Sequence, residues 1–121
     1  MKILLICHNF IGDNLHTIPF IYKLIETYKD DEFYILTDSK SFEIFNFFID
    51  SPKFYLFSRE NKSDINILFK NTFHISVSFR FSFSDGLLPY QNKIKYRYGI
   101  NKELNFFFFN KSVWYKKTHP V

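Results

Sequence analysis

A short apolar strand, a turn with one glycine and an amphipathic helix follow one another at the start of this chain, and this order constrains its fold most. Ile3 to Cys7 is apolar throughout, and Asn9 to Phe20 has the sequence NFIGDNLHTIPF. The helical run from Leu15 to Tyr28 has apolar residues at helical spacing, which predicts one buried stripe: Leu15, Ile18, Tyr22 and Ile25. In an open α/β sheet, such a unit places a polar group at the carboxyl edge of the first strand, where these sheets bind ligands.

Asp13 is the polar group that this turn presents. It follows Gly12, whose lack of a Cβ lets the chain turn sharply. The positive end of the helix dipole favours an ionised carboxylate there, which can accept a proton. The alternative is that Asp13 or Asn14 only caps the helix, and caps are commoner than catalytic bases. His16 can lie beside Asp13 on the helix, where it orients the carboxylate, contacts a ligand or simply packs.

Strand and helix signals alternate along the rest of the chain. The predicted helices run from Asp38 or Ser39 to Phe48 and from Ser63 to Lys70, where Ile65 and Leu68 point inward. The further predicted strands are Glu32 to Thr37, Lys53 to Phe57, Phe73 to Phe81, Lys93 to Gly99 and Phe106 to Phe109. This order predicts an α/β, Rossmann-like, mainly parallel sheet with helices on both faces. The 121 residues suffice for one such domain.

The net charge and the cysteine and histidine content limit the kinds of ligand and the cellular location that we expect. The net charge of +4 suits an anionic ligand or a membrane surface, whereas scattered basic residues without a recognised motif disfavour nucleic acid. Cys7 is the only cysteine and ends an apolar strand, so we expect it to pack in the core. The four histidines lack metal-ligand spacing, so no metal site is indicated. Without a signal peptide or a run of ~20 apolar residues, the chain is expected in the cytoplasm.

The segment Ile11 to Pro19, IGDNLHTIP, resembles the opening of the heptosyltransferases of glycosyltransferase family 9. Those enzymes begin with a short apolar strand, here Lys2 to Ile6, and a Gly-Asp-x-Leu-His-Thr-x-Pro element. Tyr96 to Ile100, YRYGI, resembles their later basic, aromatic and glycine-containing strand. The resemblance implies the N-terminal half of a GT-B fold in a bacterial, metal-independent glycosyltransferase. It also implies that Asp13 is the general base that deprotonates an acceptor hydroxyl.

The same resemblance implies a set of partners. The acceptor is a lipid-linked or oligosaccharide glycan of the lipopolysaccharide core or a related structure. The candidates to bind it are Gly12, His16, Ser84 and Arg97. Ser84 can hydrogen-bond hydroxyls and Arg97 can bind phosphates or carboxylates, and the alternative for both is a solvated surface. A nucleotide-sugar donor such as ADP-heptose binds to a second domain, and no further cofactor is implied. Because residues 1–121 hold only one Rossmann-like domain, the donor-binding domain is absent and a truncated form is expected. Lipid-linked acceptors place the protein in the cytoplasm, peripheral to the inner face of the cytoplasmic membrane.

Two other functions remain open at the level of sequence. A non-catalytic remnant or partner-binding domain keeps the fold without the donor half, and an apolar surface at Phe106 to Phe109 or Trp114 suits it. A nucleotide-binding oxidoreductase domain has the same fold class. Its fingerprint needs several glycines against the pyrophosphate, whereas the turn from His8 to Asn14 has one. The oxidoreductase is therefore the least favoured.

Overall fold

The computed structural model describes residues 1–8, 10–79, 92–101 and 111–114. From β1 to β4, strands alternate with helices. The strands are β1 Lys2–Ile6, β2 Glu32–Thr37, β3 Phe54–Ser58, β4 Ile75–Ser78, β5 Tyr96–Asn101 and β6 Lys111–Trp114. The α-helices are α1 Ile11–Thr27, α2 Phe42–Phe48 and α3 Lys62–Leu68, and a 3-10 turn, Ser39–Ser41, precedes α2.

The described strands form one six-stranded sheet in the order β3-β2-β1-β4-β5-β6, and every neighbouring pair is parallel. β1 therefore lies at the centre, with β2 on one side and β4 on the other. The chain first builds outward from β1 to β3, then returns past β1 and builds in the opposite direction. This reversal makes the space between the carboxyl ends of β1 and β4 the switch point of a doubly wound sheet.

Both faces of the sheet are covered, because the central strand is buried on both sides. Ile3, Leu5 and Cys7 point into one apolar cluster, whereas Leu4 and Ile6 point into another. Helices α1 and α2 cover the first cluster with Ile18, Ile21 and Phe45. Helix α3 covers the second with Leu68, beside Phe73 and Ile94. The continuous apolar run of β1 is thus that of a strand buried on both faces.

The predicted fold class is confirmed, as is the burial of Cys7 and the inward position of Leu68. Helix α1 is rotated from the prediction. Ile18 is buried and Ile25 packs at the edge of the core, but Leu15 and Tyr22 are 42% and 52% exposed. The prediction for these two positions was wrong because helical spacing also fits a second face, on which Asn14, Thr17, Ile18 and Ile21 are buried.

The outer strands lie a few residues from their predicted positions. β4 is shorter than Phe73 to Phe81, and β5 begins at Tyr96 rather than Lys93. A sixth strand is present, but it is Lys111–Trp114, while the predicted Phe106 to Phe109 lies outside the described residues. Among the described residues, no helix combines the length and apolar character that a membrane crossing requires.

Candidate functional site

The candidate site is the turn that joins β1 to α1 at the carboxyl edge of the sheet. Its position is fixed by both neighbouring strands. The backbone N–H of Cys7 donates to the Leu36 carbonyl at 2.9 Å, which ties the turn to β2. The N–H of Phe79 donates to the Ile6 carbonyl at 2.9 Å, which ties β4 to the end of β1. The first turn of α1 therefore begins at the switch point where open α/β sheets bind ligands.

Asp13 lies in the first turn of α1 with its side chain exposed. Its carboxylate forms no hydrogen bond or ion pair with any residue that the structure describes. The N-cap position belongs to Phe10, whose side chain makes no capping hydrogen bond. The interpretation that Asp13 or Asn14 caps the helix is therefore wrong. The carboxylate is exposed and is positioned by the helix, without a hydrogen bond or ion pair to the described residues.

Gly12 does not form the sharp turn that the sequence suggested. It is the second residue of α1, and no described glycine has a positive φ. A Cβ built on Gly12 would meet no atom within 4 Å. The helix is preceded by Phe10, whose backbone is extended. Gly12 instead leaves open space beside Asp13.

The buried side chain of Asn14 holds this turn in place through hydrogen bonds, a role that the sequence did not indicate. The side chain is fully buried. Its Oδ1 accepts from the His8 N–H at 2.8 Å, and its Nδ2 lies within 3.0 Å of the His8 carbonyl, Thr37 Oγ1 and Ser41 Oγ. Ser41 in turn donates to Asp38 Oδ1 at 2.6 Å. This anchor network (His8, Asn14, Thr37, Asp38 and Ser41) joins the end of β1, the start of α1 and the end of β2.

Charged side chains from the end of β3 extend the polar edge. An Arg59 Nη2–H donates to the Cys7 carbonyl at 2.5 Å, so the guanidinium reaches across β2 to β1. The exposed Glu60 accepts from Ser58 Oγ at 2.7 Å and from the Ser39 N–H at 3.3 Å. The Ser58 hydrogen bond, followed by the Ser39 backbone, lowers the pKa of Glu60 below its usual 4.5. Glu60 is thus held as a carboxylate that orders the segment after β2.

The other predicted acceptor residues do not all gather at this edge. His16 is exposed on α1, but within the described chain no hydrogen bond or ion pair joins it to Asp13. Arg97 is the second residue of β5, and its Nη1 donates back to the Ile94 carbonyl at 2.5 Å, toward the amino edge. Ser84 lies outside the described residues. The structure therefore brings Gly12, Asp13 and His16 together on one helix, without Arg97.

The oxidoreductase alternative finds no support at the end of β2. A dinucleotide-binding sheet places an acidic side chain there to bind the ribose hydroxyls. Asp38 occupies this position but is only 4% exposed, and one of its oxygens is taken by Ser41. The described residues also contain no group of three His, Cys, Asp or Glu side chains placed to hold a metal ion. Asp13 is an exposed carboxylate at this edge that has no hydrogen bond or ion pair to the described residues.

The class of protein follows from these features: a doubly wound, Rossmann-like α/β domain with an exposed carboxylate at its switch point. The solved structures most similar in fold include E. coli ADP-heptose LPS heptosyltransferase II, at a TM-score of 0.77 and 17% identity over 97% of this chain. E. coli heptosyltransferase WaaC with ADP matches at a TM-score of 0.76 and 14% identity over 98% of the chain. A glycosyl transferase of family 9 from Veillonella parvula DSM 2008 matches at 0.75 and 13% identity over 97%.

The chain thus has the fold of the N-terminal part of GT-B heptosyltransferases, as the resemblance in its first twenty residues implied. It spans 36% to 42% of the length of these three proteins. In sequence, no protein-family model matches, and a comparison with curated proteins gave no match. The similarity is therefore one of fold.

Proposed function

We propose that this chain is the acceptor-binding domain of a heptosyltransferase-like glycosyltransferase that acts in lipopolysaccharide core or related glycan biosynthesis. Asp13 is its general base. The observation that carries the proposal is the exposed carboxylate of Asp13, without a partner among the described residues, at the switch point of a heptosyltransferase-like fold. Such a carboxylate can come within hydrogen-bond reach of an acceptor hydroxyl, as general base catalysis requires.

In the proposed reaction, Asp13 takes the proton of an acceptor hydroxyl as that oxygen attacks the anomeric carbon of the donor sugar. A carbon–oxygen bond forms to the acceptor, and the bond from the anomeric carbon to the nucleotide phosphate breaks. Attack opposite the leaving group inverts the anomeric centre, and no metal is needed. The anchor network contributes by holding the start of α1, and so Asp13, in one place relative to the sheet.

The donor is proposed to be a nucleotide sugar of the ADP-heptose kind. Structures of the similar protein WaaC contain ADP and ADP-2-deoxy-2-fluoro heptose. Because this chain spans 36% to 44% of the similar proteins, we assign the donor to a second domain. We place the protein in the bacterial cytoplasm, at the inner face of the cytoplasmic membrane, where a lipid-linked acceptor is reached.

The first test is the binding of a lipopolysaccharide inner-core oligosaccharide to the isotope-labelled chain, followed by NMR. We expect the acceptor to shift the amide signals of Gly12, Asp13 and His16. ADP-heptose and NAD are titrated separately and should leave the spectrum unchanged. Binding of either nucleotide without acceptor binding would overturn the assignment of this domain to the acceptor.

Asp13→Asn tests the role of the base, because the amide keeps the shape but cannot accept the proton. Acceptor affinity should change less than about threefold, whereas sugar transfer by the full native protein should fall by roughly 10²–10⁴-fold. Asp50→Asn is the matched control, since Asp50 is exposed between α2 and β3, at the opposite edge of the sheet. Transfer that survives in Asp13→Asn would remove Asp13 from the mechanism.

A partner-binding function is the second candidate, and one observation favours it. An apolar groove of about 270 Å³ lies between α1 and strands β4 and β5, lined by Phe20, Leu24, Val77, Tyr98 and their neighbours. Phe20 and Tyr98 are 50% and 40% exposed. If a second domain or subunit covers this groove, Phe20→Ser should abolish its association in analytical ultracentrifugation, while acceptor binding at Asp13 persists.

A further inference from the structure

The start of α1 departs from the usual chemistry of a helix start at Phe10. This residue occupies the N-cap with φ −118° and ψ 140° and makes no side-chain capping hydrogen bond. Ser, Thr, Asp and Asn are strongly preferred there, because their oxygens satisfy the free N–H groups of the first turn. Phe10 instead leaves 71% of its surface exposed. Neither capping nor burial in the core explains a phenylalanine at this position.

Gly12 is a second departure, two residues further on. It lies inside the helix with an ordinary φ, where glycine is less favourable than alanine. A Cβ at this position would meet nothing within 4 Å. The fold therefore does not require glycine here. What the glycine does provide is free space on the outer surface of the first turn.

Both departures lie within three residues of Asp13, the exposed carboxylate of the candidate site. Residues that break a local rule without a structural gain are expected at functional sites. Here an aromatic ring, an open space and a carboxylate stand next to one another on one turn. A sugar ring matches this combination, because it has an apolar C–H face for the aromatic ring and hydroxyl groups for the carboxylate.

We propose that Phe10 binds the acceptor sugar, with its ring stacked on the apolar face of the pyranose whose hydroxyl Asp13 deprotonates. Gly12 leaves the room that this ring needs. The partly exposed Ile11 and Leu15 extend the apolar rim on the same turn. This inference rests on the proposed function, since it names how the acceptor is held at that same site. It makes Phe10 a residue that contacts substrate.

The test uses the opposite effects that ligand binding and fold stability should show. Phe10→Ser supplies the missing cap, and Gly12→Ala removes the helical glycine, so each should raise the melting temperature by roughly 2–5 °C. Each should also weaken binding of the inner-core oligosaccharide by about tenfold, measured by calorimetry. Phe10→Trp retains an aromatic surface and should bind within about threefold of the unchanged protein. A residue with a purely structural role would not separate stability from binding in this way.

Phe47→Ser is the matched control, because Phe47 is 81% exposed on α2, and its acceptor affinity should not change. If the unchanged protein binds the oligosaccharide and Phe10→Ser binds equally well, the inference on Phe10 fails while the proposed function stands. If the unchanged protein does not bind, the proposed function itself fails. Loss of stability together with binding in Phe10→Ser would make the ring structural. Conversion of a dimer to a monomer by Phe10→Ser would show that a second copy covers the ring, and would also overturn the inference.

Discussion

The two sides of the first turns of α1 have opposite character. The inward side chains are buried: Asn14, Thr17, Ile18 and Ile21. The outward positions are exposed: Gly12, Asp13, Leu15 and His16. One side contributes hydrogen bonds and apolar burial to the fold, whereas the other offers a carboxylate and open space to a ligand. Stability and binding are therefore assigned to different residues of one helix, and substitutions can separate them.

The largest expected effect tests which side faces the core. Ile21 is fully buried against the sheet, so Ile21→Ala should lower the free energy of unfolding by about 3 kcal/mol through lost burial and a cavity. Tyr22 is 52% exposed, and Tyr22→Ala should change the free energy of unfolding by less than about 0.5 kcal/mol. Urea denaturation with a shared slope measures both. A larger loss for Tyr22→Ala than for Ile21→Ala would mean that the side with Leu15 and Tyr22 faces the core, and would contradict the assignment of the two sides of α1.

The second largest expected effect is the loss of stability when the buried amide of Asn14, on the inward side of α1, is replaced. Asn14→Leu keeps the approximate shape of the side chain but leaves the His8 backbone, Thr37 and Ser41 without their buried partner. We expect a loss of about 2–3 kcal/mol in the free energy of unfolding, by urea denaturation. Asn46→Leu, at an exposed position of α2, is the control and should have little effect. A loss below about 0.5 kcal/mol would show that the anchor network does not hold the turn.

The sequence could predict the sheet, but only part of the inward side of α1. The run Ile3 to Cys7 is apolar at every position, which only a strand buried on both faces or a buried helix explains, and its length of five favours a strand. For α1, the spacing of apolar residues predicted that Leu15 and Tyr22 are buried. It could not predict the burial of Asn14, because asparagine is a polar residue and is therefore assigned to the exposed side. A signal was present in the polar residues at and just after the end of β2: Thr37, Asp38 and Ser41. Their meeting with Asn14 is tertiary, so spacing along the chain did not reveal it.

The outer strands show a different limit. The strand that pairs with β5 in the described residues is Lys111–Trp114, which the sequence did not indicate. Propensity reports how well side chains fit a half-buried pleated surface, whereas pairing also depends on register with the neighbouring strand. The predicted strand Phe106 to Phe109 lies outside the described residues. At the site, Asp13 could be found because strand, turn and helix are contiguous. Whether Ser84 contacts an acceptor stays a prediction.

The smallest expected effect is that of replacing Glu60, an exposed hydrogen-bonded carboxylate, and it can be compared with the effect of replacing the buried amide of Asn14. Glu60 is held as a carboxylate by Ser58 and Ser39, which lowers its pKa below 4.5. Its stabilising effect is therefore present above pH 4.5 and is lost as the pH falls through the lowered pKa of the folded protein. Glu60→Gln should cost at most about 0.5 kcal/mol at pH 7, since water screens an exposed carboxylate. Urea denaturation at pH 7 and near pH 3 should show this difference shrinking in acid.

Glu26→Gln, exposed on α1, serves as the control for Glu60→Gln and should show no such convergence. A Glu60 effect that stayed constant down to pH 3 would mean that shape rather than charge holds the segment after β2. The exposed carboxylate of Glu60 and the buried amide of Asn14 would then both stabilise this edge of the sheet without a contribution from charge.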